Sequence, residues 1–586
     1  MFFNYINKYK LIQGTVFYEK ENNSPSTLKN IKINLYRIKK LKSSSEFNLY
    51  QKKLISSTKT NRYGKYLFVV KNNFHIVEID IKNLPRGTGA LEKELQSGKG
   101  SHQKYNFIVR KIHNIECDTS KNFSLNYKAP ENSSIDKIRL SYENKLIDKR
   151  NKISQYLNAL YDKNSLRSRF TSQVPIKSTT TVLKEIRDYI DNKNSDPSVV
   201  KRAEKLIRHT LPDLDKTYLS SDGHFNIHYT LSGENAIKGS IRNPKQVPAY
   251  IKHIADAFEN VRNITCIKRG FTHPILHKEK DSMDIYVYNL KGVYGYTSSI
   301  NIFKSSKGTR TASCYIAVDN SYSPLKGFKK SREDCLNVTA AHEYFHAVQF
   351  ACNIDADFWW MEASATWNED EIYDDVNDYV DYLKKFFSYP DRSLDKTSYD
   401  GVIFAKYLSE YFDGYNTIKK IWTVQAESHR NSIEAIDKTL RENYTNENIS
   451  TAYNRFAAFN YSPSQFYKEG YLWTTPLSYQ NTHKLYPVKS QKLKLNHLSS
   501  NYLLFKNLPN SFNVFIEYPI SYLLGLKIIK KKNNSNEYEI IKLPFNTHAN
   551  MAEIKIANFD NQYPEICFVP SNLEKEKDKL PYSYKS

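Results

Sequence analysis

Cysteine is scarce in this chain. Six residues are spread over 586 positions, and no two form a C-x-x-C pair. That excludes a cysteine zinc knuckle and a thioredoxin-type redox motif, and the density is too low for a disulfide scaffold. Glycine (18) and proline (20) are also few, which excludes collagen-like repeats and proline-rich linkers. No window of about 18 uncharged apolar residues occurs, so no membrane-spanning helix is expected. The most apolar stretch, Phe512 to Ile529, carries Glu517 and Lys527. The opening residues, MFFNYINKYKLIQG, lack the long apolar run of a secretory signal.

Aromatic and basic residues are abundant. Tyrosine (45) and phenylalanine (30) lift the aromatic share to 14%, and hydrophobic residues make up 40%. So much apolar surface demands folded domains, about three or four at roughly 150 residues each. Subtracting 62 acidic from 86 basic side chains leaves a net charge of +24. The lysines are interleaved with Asn, Ile and Tyr along the whole chain instead of being gathered in one patch. A solvated compositional bias explains that pattern, and no nucleic-acid partner is expected.

Residues 1 to about 130 read as short strands, among them Leu11 to Tyr18, Ile31 to Tyr36, Tyr66 to Phe68, Ile76 to Ile81 and Tyr105 to Ile112. Residues 131–215 change to helical spacing, with Ile135, Ile138, Tyr142 and Leu146, then Val182 to Ile190 and Val199 to Ile207. This stretch reads as a helical connector, and its place ahead of the chemistry described next leaves open an inhibitory role. From 216 the pattern is mixed: a strand at Phe225 to Tyr229, a helix at Ala249 to Val261, strands at Asp284 to Tyr288 and Tyr315 to Val318, then long helices. Strands return between about 490 and 572, and a charged tail is expected to fray from about Leu573.

The informative segment is Asn337 to Phe350, which contains His342-Glu343-x-x-His346. Its surroundings, Ser331 to Asp357, hold neither proline nor glycine. On a helix, residues four apart share a face, so both imidazoles can converge on one ion. Glu343 lies about 100° round the helix from His342, beside the ion, where it can take a proton from water. The alternative is two ordinary histidines on a structural helix. Sixteen residues past His346 stands Glu362, in Phe358-Trp359-Trp360-Met361-Glu362-Ala363. A helix, a reversal and a second helix would bring it opposite the histidines. Two histidines and one carboxylate suit zinc better than magnesium or calcium.

These segments resemble the gluzincin zinc peptidases, whose third ligand sits in a W-x-x-E-(A/G)-x-A motif. In particular, AHEYFHAVQF, WWMEASATWNED and IYDDVNDY are similar to the motifs AHEFFHAVQF, WWMEATATWMED and VYDDVNDY of a group of bacterial, mostly exported gluzincin-type proteins. The likeness runs from about Phe225 to Trp422. It implies one Zn2+ per chain held by His342, His346 and Glu362, with Glu343 as general base. It also implies an extracellular location, against the opening residues. A downstream tyrosine in a Y-x-K-G element stabilises the oxyanion in related aminopeptidases. Ser398-Tyr399-Asp400-Gly401 resembles it without the lysine, which makes Tyr399 the candidate and leaves a structural tyrosine as the alternative. No G-x-M-E-N element precedes the zinc motif, which favours an endopeptidase over an aminopeptidase.

Several further residues are candidates. Glu369, two turns past Glu362, could hold a ligand histidine, with Asp370 as its rival. Seven acidic residues between Glu369 and Asp381 could bind calcium, attract basic substrates or form a solvated face. His429 is a distant second oxyanion donor. Tyr315, Ile316, Ala317 and Val318 are read either as the edge strand that pairs with a substrate backbone or as an interior strand. The expected fold is multidomain α+β: a β-sandwich (1–130) whose order GTV…NIKINLY…STKTNRYGKYLF resembles transthyretin-like modules, the helical connector (131–215), a gluzincin-like zinc peptidase domain (216–485), and a C-terminal β-sandwich with a charged tail (486–586). The expected function is zinc-dependent hydrolysis of a peptide or protein substrate. A catalytically silent surface or binding protein that keeps a zinc site is the rival. The sequence does not indicate an oligomeric state.

Overall fold

The computed structural model describes residues 9–19, 26–43, 47–63, 65–71, 75–79, 88–91, 102–104, 107–111, 132–208, 211–237, 246–277, 280–427, 430–507, 511–531, 538–542, 550–557 and 565–586. They fall into two compact units, one spanning Lys128–Ser478 and one made of Met1–Tyr127 with Tyr479–Ser586. The class is mixed α+β over more than one domain, as expected from the switches between strand and helix periodicity. Among the described residues, no helix is long and apolar enough to cross a membrane.

The Lys128–Ser478 unit opens with helices α1 (Ser134–Glu143) and α2 (Lys149–Tyr161), strand β1 (Ile176–Ser178), and helices α3 (Thr180–Asp191) and α4 (Pro197–Arg208). There follow β2 (Lys216–Leu219), β3 (Phe225–Tyr229), α5 (Ala249–Arg262), β4 (Met283–Tyr288), β5 (Val293–Lys304) and β6 (Arg310–Asp319). Next come α6 (Arg332–Cys352), α7 (Phe358–Ile372) and a run of further helices. The six strands form one sheet in the order β1-β5-β6-β4-β3-β2. Helix α6 packs on β5 and β6, and α7 packs on α6.

The stretch read as a connector is built into this unit. On α3, Val182, Ile186 and Tyr189 recur at helical spacing and are buried. They share one core with Ile135, Ile138, Tyr156 and Leu157, and with Leu290, Val293 and Tyr296 on the sheet side. Burying an apolar side chain of this size stabilises by about 1.5–3 kcal/mol, so the helical face is held on the sheet.

Tyr315–Val318 corrects the edge-strand reading. It lies in β6, where Ile316, Ala317 and Val318 are hydrogen-bonded to β4 on one side and β5 on the other. An interior strand has no free N–H or C=O row for a substrate. Its near-continuous burial fits a strand covered on both faces.

In the terminal unit, the N- and C-terminal strands share a sheet. Its order is Gln491–Leu495, Leu580–Lys585, Ser511–Glu517, Met551–Ala557, Phe47–Lys59, Lys32–Ser43 and His75–Ile79. Tyr50 pairs with Met551 and Phe47 with Ile554. The sequence reading places these strands in two separate sandwiches, whereas here the free edge of the N-terminal hairpin is covered by a C-terminal strand. A core of Leu49, Phe505, Phe512, Phe568 and Tyr584 draws on both parts. The expected charged, frayed tail is corrected as well. Leu580–Lys585 is an interior strand, and Leu580, Tyr582 and Tyr584 alternate into the core. Their period of two marks a strand that the charged run just before it, Glu574 to Lys579, obscures.

Candidate metal centre

Helix α6 is fixed at its start by Ser331, whose side chain accepts the Asp334 N–H at 3.0 Å, and acidic Glu333 and Asp334 suit the positive end of the helix dipole. The helix lies close on β5 because position 295 is glycine. A Cβ there would sit 2.6 Å from Thr339 Cγ2, 2.9 Å from Ala317 O and 3.2 Å from Glu343 Cγ. After α6 the chain reverses through Asn353, whose side chain accepts the Asp355 N–H at 2.9 Å. Helix α7 then runs back along α6, and Asn368 donates to Ala341 O at 3.0 Å across the pair.

This reversal brings His342, His346 and Glu362 together, all with 0% exposure. His342 Nε2 lies 3.1 Å from His346 Nε2 and 3.3 Å from Glu362 Oε2, and His346 Nε2 lies 3.8 Å from the same oxygen. His342 Nδ1 faces Glu369 Oε1 at 2.6 Å. A carboxylate only accepts, so Nδ1 carries the proton and Nε2 presents a lone pair. His346 Nδ1 donates to Gln349 Oε1 at 2.7 Å, because the Gln349 amide is committed as a donor to Met361 O and Ser364 Oγ. Its Nε2 is therefore also a lone pair. With His342 neutral, three donor atoms turn lone pairs to one buried point.

Such a cluster calls for a cation. Tetrahedral zinc with bonds of 2.0–2.1 Å separates its ligands by about 3.4 Å, and the three distances bracket that value. Glu362 Oε2 is buried without a hydrogen-bond partner among the described residues, as a ligand oxygen should be. The field agrees. Burial opposes charge on His342, but the Glu362 and Glu369 carboxylates override it and raise its pKa to about 10, so a metal would displace a proton held by His342 against Glu362. Burial would raise Glu362, yet the histidines hold it below the usual carboxylate range. On His346, burial dominates and favours the neutral ligand form. The pocket is tuned for positive charge at its centre.

Glu343 lies beside the triad. Its Oε2 accepts hydrogen bonds from Thr180 and Thr297 hydroxyls, each at 2.8 Å. Its Oε1 is buried and unpartnered among the described residues, which leaves one oxygen uncommitted to a protein donor. Glu369 not only faces His342 but also pairs through Oε2 with Lys177 Nζ at 2.9 Å, and Lys177 in turn pairs with Asp378 at 2.7 Å. Asp370, the rival of Glu369, points elsewhere and pairs with Lys406. The Tyr399 ring stands 5.9 Å from that of His342, and its hydroxyl donates to Ser178 O and accepts from Ser178 N, both at 3.2 Å. Burial pushes the phenol far above its usual range, so it stays protonated and can donate. His429 and Cys117 lie outside the described residues. The other five cysteines are buried free thiols.

Among the described residues, two further groups have donor atoms close enough for a metal, namely Asp222 with His224 and Glu259, and Asp370 with Asp374 and Glu469. Both already have partners. Glu259 accepts from Ser220 and His224, and Lys406 sits between Asp370 and Glu469. The acidic run from Glu369 to Asp381 is thus divided among different ion pairs.

Five residues at this centre escape the sequence reading: Lys177, Thr180, Thr181, Thr297 and Gln349. Thr181 donates to Glu362 Oε1 at 2.7 Å. One signal was available. Ser178, Thr179, Thr180 and Thr181 form a run of hydroxyls before an apolar helix, which normally marks an N-cap. Thr179 makes no side-chain cap bond here. The hydroxyls of Thr180 and Thr181 serve Glu343 and Glu362 instead, at the positive end of α3.

No family model matches this chain, and no curated protein matches it. Among solved structures, the chain is similar to the pre-peptidase C-terminal domain of a collagenase from Bacillus anthracis. The match covers 18% of this chain and 91% of that one, at 13% identity and a TM-score of 0.13. A family GH115 4-O-methyl-alpha-glucuronidase, described as specific for decorated arabinogalactans, matches over 53% of each chain at 10% identity and a TM-score of 0.12. At such low TM-scores neither likeness informs the fold or the chemistry. The centre itself is a buried His342/His346/Glu362 triad with the geometry of an H-E-x-x-H…E zinc motif.

Proposed function

We propose that the chain is a zinc-dependent peptidase, acting as an endopeptidase on a peptide or protein substrate. The observation that carries this reading is the convergence of three lone pairs, at 3.1, 3.3 and 3.8 Å, beside a carboxylate with one unpartnered oxygen. Zinc, when bound by His342, His346 and Glu362, supplies Lewis acidity that lowers the pKa of water and polarises a carbonyl. Glu343 takes the proton of the attacking water and passes it to the leaving amine. Thr297 fixes which oxygen of Glu343 does so. Tyr399 donates its hydroxyl proton to the developing oxyanion. Glu369 and Gln349 hold the two imidazoles in the tautomer that turns Nε2 inward.

The test is hydrolysis of a diverse peptide mixture by wild type and Glu343→Gln, each zinc-loaded and each chelated, with metal counted in parallel. One zinc per chain is expected in both proteins. Cleavage should vanish on chelation and fall by about 10²–10⁴-fold in the variant, the usual share of a general base. Cleavage that survives either treatment would sink the proposal.

A further inference from the structure

The residues that reach the metal centre from outside α6 and α7 come largely from one short segment. Strand β1 adds in parallel to the outer edge of β5, with Ile176 opposite Val293 and Ser178 opposite Gly295. Ile176 N–H donates to Gly292 O at 2.9 Å. Further along the same edge, Thr180 Oγ1 accepts the Thr297 N–H at 2.7 Å, and Arg187 donates to Ser299 O at 2.6 Å. The edge of β5 from 293 to 299 is therefore occupied by this segment and by α3. It is the sheet edge that touches Glu343, since Thr297 bonds that carboxylate and a Cβ on Gly295 would press against it. An extended peptide could add there as a strand if the edge were open.

The same segment engages each reactive group. Ser178 takes up the Tyr399 hydroxyl with both its N–H and its C=O. A phenol has one proton, and here it is donated to Ser178 O, so none is left for an oxyanion. Thr180 caps Glu343, and Thr181 holds Glu362. Ser178, Thr180 and Thr181 are themselves no more than 2% exposed. A cavity of about 120 Å³ lined by Thr180, Thr297, Ser298, Ser299, Arg187 and Phe350 reaches the two hydroxyls that cap Glu343.

We propose that this is a latent form of the protein, in which residues 176–181 lie across the metal centre as an internal pseudosubstrate and must leave before a peptide can bind. The proposal rests on the peptidase reading for what the centre does, but blockage of the metal can be measured without turnover. Latency follows from occupation of a sheet edge and of three site residues by consecutive positions of one segment. The segment is held by α3, whose apolar face is buried in the core of the unit. The stretch after α4 is accessible, since Leu211 and Asp213 are exposed.

The experiment uses the full zinc-loaded chain with a recognition sequence for a specific protease inserted between Pro212 and Asp213. Binding of a fluorescent peptidyl hydroxamate, a metal-directed probe, is followed by anisotropy before and after the cut, and peptide hydrolysis is measured on the same samples. A full-length Thr180→Ala/Thr181→Ala variant, checked for its fold by circular dichroism, loosens the segment without a cut and decides alone if the cut chain unfolds. The intact wild type should bind the probe at least about tenfold more weakly than the cut chain or the variant, as expected when the competent state is a minor fraction. Equal binding by all three would overturn the proposal. Tighter probe binding without hydrolysis of any peptide would uphold the blockage and remove the peptidase reading instead.

Discussion

At the scale of single residues, the centre works through proton placement. Two imidazoles on one helix face are common, and what makes these a candidate metal site is the acceptor opposite each Nδ1. Glu369 and Gln349 play that part from different elements, and only Glu369 stands at a spacing that suggests it. Lys177 extends the chain of contacts to Asp378, which gives a pH dependence that can be measured. Burial opposes ionisation of Asp378, but Lys177 overrides it and holds the carboxyl below its usual range. A depressed carboxylate contributes stability that is fully present above its unfolded value of about 3.9 and is lost as the pH falls through the lower folded value. Asp378→Asn should therefore flatten the acid limb of stability against pH below about 4, followed by urea unfolding. At neutral pH it should cost about 3 kcal/mol, because Lys177 loses a buried partner.

At the scale of elements, the decisive contact is α6 against β5. It places Glu343 on the sheet edge, and Gly295 permits it. Gly295→Ala should destabilise the protein by about 2 kcal/mol, read as a lower urea midpoint at unchanged slope, because the new Cβ meets the Ala317 carbonyl and Thr339. An unchanged midpoint would mean that α6 can shift away from the sheet freely. The elements of this unit were largely legible in sequence. Phe225–Tyr229 alternates, α5 follows a proline, and α6 carries the metal motif. Strand β6 was legible as a strand but not as an interior one, since a run of Tyr, Ile, Ala and Val reads the same at an edge or a centre. Pairing partners on both sides decide that, and they are distant in sequence.

At the scale of the whole molecule, the chain divides between Tyr127 and Lys128 and again between Ser478 and Tyr479. All residues of the proposed centre, and the segment that covers it, belong to the middle unit. A chain of residues 128–478 alone should therefore fold cooperatively and bind one zinc, as judged by thermal unfolding and metal analysis. Failure to fold would show that the terminal unit supplies part of its stability. The terminal strands should not behave in the same way. The Phe47–Lys59 strand takes its partner from Met551–Ala557, so neither terminal stretch alone closes that sheet.

The sequence by itself determined the α+β class, the two helices that carry the ligands, and the identity of His342, His346 and Glu362 as a set. Each of these rests on local periodicity or fixed spacing, which a linear chain displays. Only the tertiary structure decided which partner fixes each imidazole, that the C-terminal strands complete an N-terminal sheet, and that residues 176–181 bond Tyr399, Glu343 and Glu362. These depend on contacts such as Thr180 with Glu343 and Lys177 with Glu369, between residues more than 150 positions apart. No local pattern encodes such a pairing. It is set by how the apolar faces of α3, α6 and the sheet pack together.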